Sequence, residues 1–308
     1  MGEKPFVDIV ILNFNREQDT AECILSLARM DYKDYRVIVV DNGSSDGSGS
    51  RLKQRFGKIE LIRSEANLGF AGGCNVGMTH SMRSGKAAYL LLLNSDAIAG
   101  ERLLDALTDV AAMDPTIGIV GAINYYYDQP SKVHQAWHSF IWPLGGIAGR
   151  GYYPFTAPAK DVQSVPGSCM LIKREVLAAA GLFDERFFAY YEDSDLCLRA
   201  RRAAFRVVVA AGAKIWHKLS KVVADATPGE QYIYARNQPL FMLKNCPAVF
   251  LPLYFARYFL RVTLGSIYCG VTGKARIAHA LMRGCSDFMR NRFGEGALFA
   301  LSGQGQEP

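Results

Sequence analysis

Short runs of β-branched and leucine residues recur through the first hundred positions, and each closes on a polar cluster. "FVDIVILNF" and "YRVIVVDNG" are continuous apolar runs of strand length ending in Asn, Asp and Gly, as in strands buried on both faces of a parallel sheet. Between them, "REQDTAECILSLARMD" places Ala21, Ile24, Leu25 and Ala28 on one face of a helix. A helix over "SGSRLKQRFG", the strand "IELIRS", the helix "GGCNVGMTHSMRSG" and the apolar strand "AAYLLLLNSD" follow. This alternation predicts a doubly wound α/β layer with a mostly parallel sheet, whose ligands sit beyond the carboxyl ends of the strands. Three of those ends are polar: Asn13-Phe14-Asn15, Asp41-Asn42-Gly43 and Asn94-Ser95-Asp96. Their coincidence locates the expected site.

Past Pro115 the texture changes. "IGIVGAINYYYDQP" leads into a Gly, Pro and aromatic-rich segment, Trp137 to Pro158, expected to be a long loop with a hairpin that serves as a lid or binding loop. A strand "GSCMLIKR", a helix "REVLAAAG", the stretch "FFAYYEDSDLCLRARRA" and a strand "FRVVVAAGAKIWH" come next, then a helical C-terminal region. Phe187, Phe188, Tyr190 and Tyr191 are expected to pack a strand ahead of the acids, the two phenylalanines as core. Asp195 is expected first to start the helix that follows. No internal repeat is visible.

Charge refines this picture only at the end of the chain. The net charge is +6, but from Lys244 onward eight Lys/Arg face three Asp/Glu, so most of the excess lies in the C-terminal fifth. There Phe250, Leu251, Tyr254, Phe255, Tyr258, Phe259 and Leu260 accompany Arg257 and Arg261. Such a helix either packs on the preceding domain or lies in the interface of an anionic membrane leaflet. No nucleic-acid-binding motif accompanies the charge. The seven cysteines form no CxxC pair, which predicts reduced thiols in a cytoplasmic setting. No run of 18 residues is free of Asp, Glu, Lys and Arg, so a spanning helix is not expected, and no signal peptide is visible.

The candidate chemistry narrows by exclusion. A dinucleotide-binding enzyme needs a glycine-rich turn after its first strand, and the sequence there is "LNFNREQ". The same absence weighs against a P-loop enzyme or a nucleotidyltransferase. A sugar-nucleotide site instead calls for amides and carboxylates around the nucleoside and oxygen ligands for a divalent cation, which Asn94-Ser95-Asp96 can offer. Trp216-His217 adds an imidazole at another strand end.

"VDIVILNFNRE", "VIVVDNGSSDGS", "NLGFAGGCNVG", "LLLNSDA", "GSCMLIKREV", "GLFDERFFAYYEDSDLCLRARRAAFRVVV", "WHKLS" and "YARNQPLFMLKN" follow one another over about residues 7–245. In these blocks the chain resembles the inverting family-2 glycosyltransferases, most of all the bacterial rhamnosyltransferase-like branch. The resemblance implies a GT-A fold over residues 1–245, with a nucleotide-sugar half to about 115 and an acceptor half to 245, and a basic amphipathic helical extension over 246–308. It implies that Asp41 reads the base, that Asn13, Asn15 and Arg16 line the same pocket, and that Asn67, Gly72 and Asn75 lie on a loop closing over the nucleoside. Asp96 resembles the retained aspartate of the family's Asp-x-Asp, while Asn94 departs from it and shifts toward the nucleotide phosphates. His217 matches the downstream metal ligand, and Mg²⁺ or Mn²⁺ is implied. Asp193 takes the position of the base and Glu192 that of a supporting acid. The implied donor is dTDP-rhamnose, with UDP-hexose or UDP-galactofuranose as alternatives, and the implied acceptor a saccharide or lipid-linked saccharide of the cell envelope. A catalytically inactive nucleotide-sugar-binding scaffold is the reading of a different class.

Overall fold

A computed structural model describes residues 4–218 and 227–294, apart from 143–145 and 149–154 and the side chains of 146–148. Parts of three expectations lie outside the described residues: the middle of the 137–158 loop, the end of the "WHKLS" block, and the chain beyond 294.

The first half alternates as expected. β1 (Val7–Asn13), α1 (Glu17–Ala28), β2 (Tyr35–Asp41), α2 (Ser48–Arg55), β3 (Glu60–Arg63), α3 (Gly69–Ser84) and β4 (Tyr89–Asn94) are followed by β5 (Ala97–Ala99) and α4 (Leu103–Ala112). The second half comprises β6 (Ile117–Tyr126), β7 (Val133–Gln135), β8 (Ser139–Ile141), β9 (Gly146–Ala148), β10 (Ala159–Asp161), β11 (Cys169–Lys173), α5 (Arg174–Ala180), α6 (Glu192–Arg202) and β12 (Arg206–His217). Three helices close the described chain: α7 (Pro228–Asn245), α8 (Leu251–Val271) and α9 (Ala275–Met289).

One sheet runs in the order β10-β12-β6-β11-β4-β1-β2-β3, continuous across the boundary expected near residue 115. β1 is parallel to β2 and β4, and β12 is parallel to β6. β11 is antiparallel to both β4 and β6, so one five-residue strand joins two parallel halves. The register sets Asn13 beside Asp41 and Leu12 beside Asn94, which brings the three polar strand ends to one mouth of the sheet. At its far end β12 pairs His217 with Ala97 of β5, next to Asp96. β8 and β9 form the hairpin expected in the long loop.

Two local expectations are corrected. α1 buries Thr20, Ala21, Cys23, Ile24, Ser26 and Leu27, while Leu25 and Ala28 are exposed. The stripe is rotated because small polar residues face the sheet: the Thr20 hydroxyl donates to Asn13 Oδ1 at 2.9 Å and the Ser26 hydroxyl accepts from the Ala99 amide at 2.9 Å. The segment before the acids is no strand but a 3₁₀ turn, Glu185–Phe187, running into Phe188, Tyr190 and Tyr191, all with positive φ. Phe187 and Phe188 are buried, as expected of core.

The C-terminal helices pack on this frame. Pro239 inside α7 has no amide hydrogen to give the Ala235 carbonyl one turn back. That carbonyl accepts instead from the Tyr258 hydroxyl of α8 at 2.5 Å, which pins the two helices. Tyr254, Tyr258 and Val262, four apart, form the buried stripe of α8.

Candidate active site

At the mouth of β1 and β2 most polar groups are spent on shaping the loops. Asn13 is fully buried, its Nδ2 donating to Ser48 Oγ at 2.8 Å and Ser44 Oγ at 3.2 Å. Asn15 has a positive φ of 52°, and its Oδ1 accepts from the Ser45 amide at 3.0 Å. Asp41 accepts from the Ser44 amide at 3.2 Å and has Arg63 Nε 3.7 Å from its other oxygen. The start of α2 lies against this carboxylate: a Cβ on Gly49 would stand 2.2 Å from Asp41 Oδ2. Asn42, which was not assigned a role from sequence, donates to Asn67 Oδ1 at 2.9 Å and the Gly69 carbonyl at 3.1 Å. Asn67 Oδ1 also accepts from the Gly69 amide, so Asn42 and Asn67 together fix the start of α3.

Two residues expected over the nucleoside are occupied elsewhere. Asn75 donates to the Phe183 carbonyl at 3.0 Å and Glu185 Oε1 at 2.9 Å, and its own Oδ1 accepts from the Phe183 amide at 3.0 Å. Its amide is committed on both sides, and it braces α3 against the 182–185 loop. Gly72 and Asn75 line a groove of about 380 Å³ between that loop and α3, whereas the side of α3 at Gly73 faces Asn42.

Asn94, Asp96 and His217 converge. His217 Nε2 lies 2.9 Å from Asp96 Oδ1 and 3.2 Å from Asn94 Nδ2, while Asn94 Oδ1 and His217 Nδ1 are buried without a partner. Burial works to raise the Asp96 carboxyl. The hydrogen bond and charge of His217, with the charge of Arg16, outweigh it and hold the group below the ordinary carboxylate value. One ring nitrogen cannot both donate to Asp96 and accept from Asn94. A divalent cation taking lone pairs from Asp96, His217 and the orphaned Asn94 oxygen would relieve that conflict, so the donor set fits one. No third His, Cys, Asp or Glu joins the pair among the described residues, and the remaining positions of such an ion would fall to water and phosphate.

The acids stand at the head of α6. Asp193 Oδ2 accepts from the Gly167 amide at 2.9 Å and its Oδ1 from the Ser194 amide at 2.6 Å. The turn Pro166-Gly167-Ser168 also reaches β4, since the Asn94 amide donates to the Ser168 carbonyl at 3.0 Å. One turn therefore connects the aspartate to the metal-type cluster. Glu192 is buried with Oε2 unpartnered, and burial, then the charges of Asp193 and Asp195, push its carboxyl far above the usual range. α6 starts at Glu192, three residues earlier than expected, and Asp195 lies fully buried in its first turn, accepting from Arg199 Nε at 2.8 Å, Lys244 Nζ at 3.0 Å and Asn245 Nδ2 at 3.0 Å.

The positive-φ loop ahead of the acids is held from α7. Asn237 Nδ2 donates to the carbonyls of Phe187, Ala189 and Tyr190 at 2.6, 2.8 and 3.2 Å, and Arg236 Nη2 donates to that of Phe187 at 3.0 Å. Both residues are fully buried.

The sequence model of the family described as "Glycosyl transferase family 2" matches residues 8–181. This chain belongs to glycosyl transferase family 2. It is 26% identical over 229 residues to the N-acetylglucosaminyl-diphospho-decaprenol L-rhamnosyltransferase of Mycobacterium tuberculosis, covering 68% of this chain and 75% of that protein. It is 29% identical over 208 residues to a low-salt glycan biosynthesis hexosyltransferase of Haloferax volcanii, covering 64% and 62%. Among solved structures, GalNAc-T7 with UDP, GalNAc and Mn²⁺ superposes with a TM-score of 0.60 at 12% identity, covering 85% of this chain and 58% of that one. A Pyrobaculum calidifontis mannosyltransferase in complex with GDP-Man and Mn²⁺ gives 0.58 at 14% identity, covering 94% and 88%. The glycosyltransferase thus has the expected GT-A fold and C-terminal helical region. Its matched segment ends before Asp193, and the loop clamp of Arg236 and Asn237 lies further still. The only sequence signal for that clamp was the quoted block "YARNQPLFMLKN".

Proposed function

We propose that this glycosyltransferase moves rhamnose from dTDP-rhamnose to a saccharide or lipid-linked saccharide acceptor in cell-envelope polysaccharide synthesis, with inversion and with a divalent cation. The observation that carries the reading is the turn at Gly167 and Ser168, bonded at once to Asp193 and to the strand end of Asn94. A proton acceptor beside a metal-type cluster is what displacement of a diphosphate requires. The donor class rests on likeness to the mycobacterial enzyme.

Asp41, Asn15 and Arg16 would hold the nucleoside at the mouth of β1 and β2, and Asn13, Asn42 and Asn67 shape the loops around it. Asn94, Asp96 and His217 would hold Mg²⁺ or Mn²⁺, which when bound neutralises charge on the departing diphosphate. The acceptor oxygen bonds to the anomeric carbon as the carbon–oxygen bond to the diphosphate breaks, and Asp193 takes the hydroxyl proton. Burial and the charges of Asp193 and Asp195 raise the Glu192 carboxyl well above its ordinary value, which favours its neutral form and a supporting role beside Asp193.

Calorimetric titration with dTDP, UDP and GDP, each with and without Mn²⁺, should give metal-dependent binding tightest for dTDP. Asp193→Asn should keep that binding and lose turnover by about a thousandfold. Substantial residual turnover would remove Asp193 from the role of base, and a preference for UDP would move the donor to a UDP-hexose or UDP-galactofuranose. Nucleotide binding without transfer by wild-type protein to any saccharide or lipid-linked acceptor would favour the scaffold reading.

A further inference from the structure

α8 carries two apolar stripes on opposite sides. One is buried through Tyr254, Tyr258 and Val262. The other, Leu253, Leu260, Leu264, Ile267, Tyr268 and Val271, repeats at helical spacing over about 27 Å and is more than half exposed at every position. A monomeric surface rarely leaves so long an apolar stripe uncovered without a use for it. Arg257 lies within the stripe, between Leu253 and Leu260, Arg261 stands at its edge with Nη2 donating to Gln238, and Lys274 and Arg276 follow at the α8–α9 corner. Between Glu230 and Asp287 there is no Asp or Glu, while seven Lys/Arg occur.

We propose that this face of α8 docks on an anionic lipid bilayer, the apolar stripe entering the acyl boundary and the basic residues meeting acidic headgroups. No helix among the described residues is long and apolar enough to cross a membrane, so the contact lies along the surface. A second copy of the chain is the less favourable occupant: two such faces would bring arginines together with no carboxylate on α8 to pair them. A bilayer supplies negative charge without fixed geometry, and each basic side chain near it gains from that potential within a Debye length. A lipid-linked acceptor, as proposed above, would give the docking its purpose, and the docking rests on that reading in no other respect.

The test is cosedimentation of the full chain with phosphatidylcholine vesicles, with and without phosphatidylglycerol, beside sedimentation velocity in their absence. Wild type should partition to the phosphatidylglycerol vesicles, less to phosphatidylcholine alone, and less again in high salt. Leu260→Glu with Leu264→Glu should lower partitioning more than about tenfold, since each leucine withdrawn from hydrocarbon costs about that factor. Unchanged thermal unfolding and dTDP binding in the same variant would show that the fold and the donor site are intact. Absence of wild-type partitioning overturns the proposal, as does a wild-type dimer that the two substitutions dissociate. Loss of dTDP binding by wild type with vesicle binding retained would instead overturn only the reading of the donor.

Discussion

Replacing Asn237 with alanine tests whether the strained loop ahead of the acids is held in place from α7. Phe188, Tyr190 and Tyr191 all have positive φ, a conformation costing a non-glycine residue about 1–3 kcal/mol unless its surroundings enforce it. Asn237 Nδ2 reaches three carbonyls of this loop, and its Oδ1 accepts from Arg236 Nε at 3.0 Å. The substitution leaves the Phe187 carbonyl with Arg236 but takes the donor from Ala189 and Tyr190 and the acceptor from Arg236. At about 1 kcal/mol for each of the three groups left without a partner, the loss is about 3 kcal/mol. For a chain of this length that corresponds to a Tm lower by about 6 °C. Because Glu192 and Asp193 follow the loop directly, kcat should fall at least about tenfold while dTDP binding, read by calorimetry, stays near wild type. A variant melting within about 1 °C of wild type, or one with wild-type kcat, would refute the clamp.

Gly49→Ala should weaken dTDP binding without unfolding the protein: alanine suits the helix, but its Cβ would press on Asp41 Oδ2, and equal affinity in calorimetry would remove Asp41 from the pocket. Glu192 keeps in the folded state a proton that the unfolded chain releases above about 4.5, so this residue lowers stability as pH rises through and beyond that value. Glu192→Gln should therefore gain stability relative to wild type as pH rises above about 4.5, and a pH-independent difference in urea unfolding would contradict the buried neutral acid. Burial works to raise Asp184, but hydrogen bonds from Arg186 and Lys244 hold it well below 3.8. Its stabilising contribution is present above 3.8 and lost as pH falls through the lower folded value, so Asp184→Asn should be less stable at neutral pH and converge with wild type in acid. Parallel pH–stability curves would argue against it.

The strands and the mouth they form were legible because each apolar run closes on its own polar cluster, and the parallel register then sets Asn13 beside Asp41. α4 and β5 carry no such punctuation and were not anticipated. The face of α1 was misjudged because Thr20 and Ser26 look solvent-seeking, yet both find partners inside. Aromatic density around Phe187 imitates a strand, and what makes it a positive-φ loop is Asn237, fifty positions away. Separations of 108 and 110 positions hide the occupation of Asn75, whose partners at Phe183 and Glu185 come from the other half of the chain.

The strand β11 and the turn leading into it carry a consequence for how this enzyme can change. The strand is the seam between two parallel halves, and the turn is bonded both to Asp193 and to the end of β4. On the proposed assignment, side chains around Asp41 can be exchanged, and a different nucleotide or sugar admitted, without re-aiming Asp193. An alteration at Gly167 has no such freedom: its Cβ would stand 3.2 Å from that of Asp193, so any change there reaches Asp193 and, through Ser168, the end of β4 together. Substrate choice can drift across the pocket while the chemistry stays anchored at one turn.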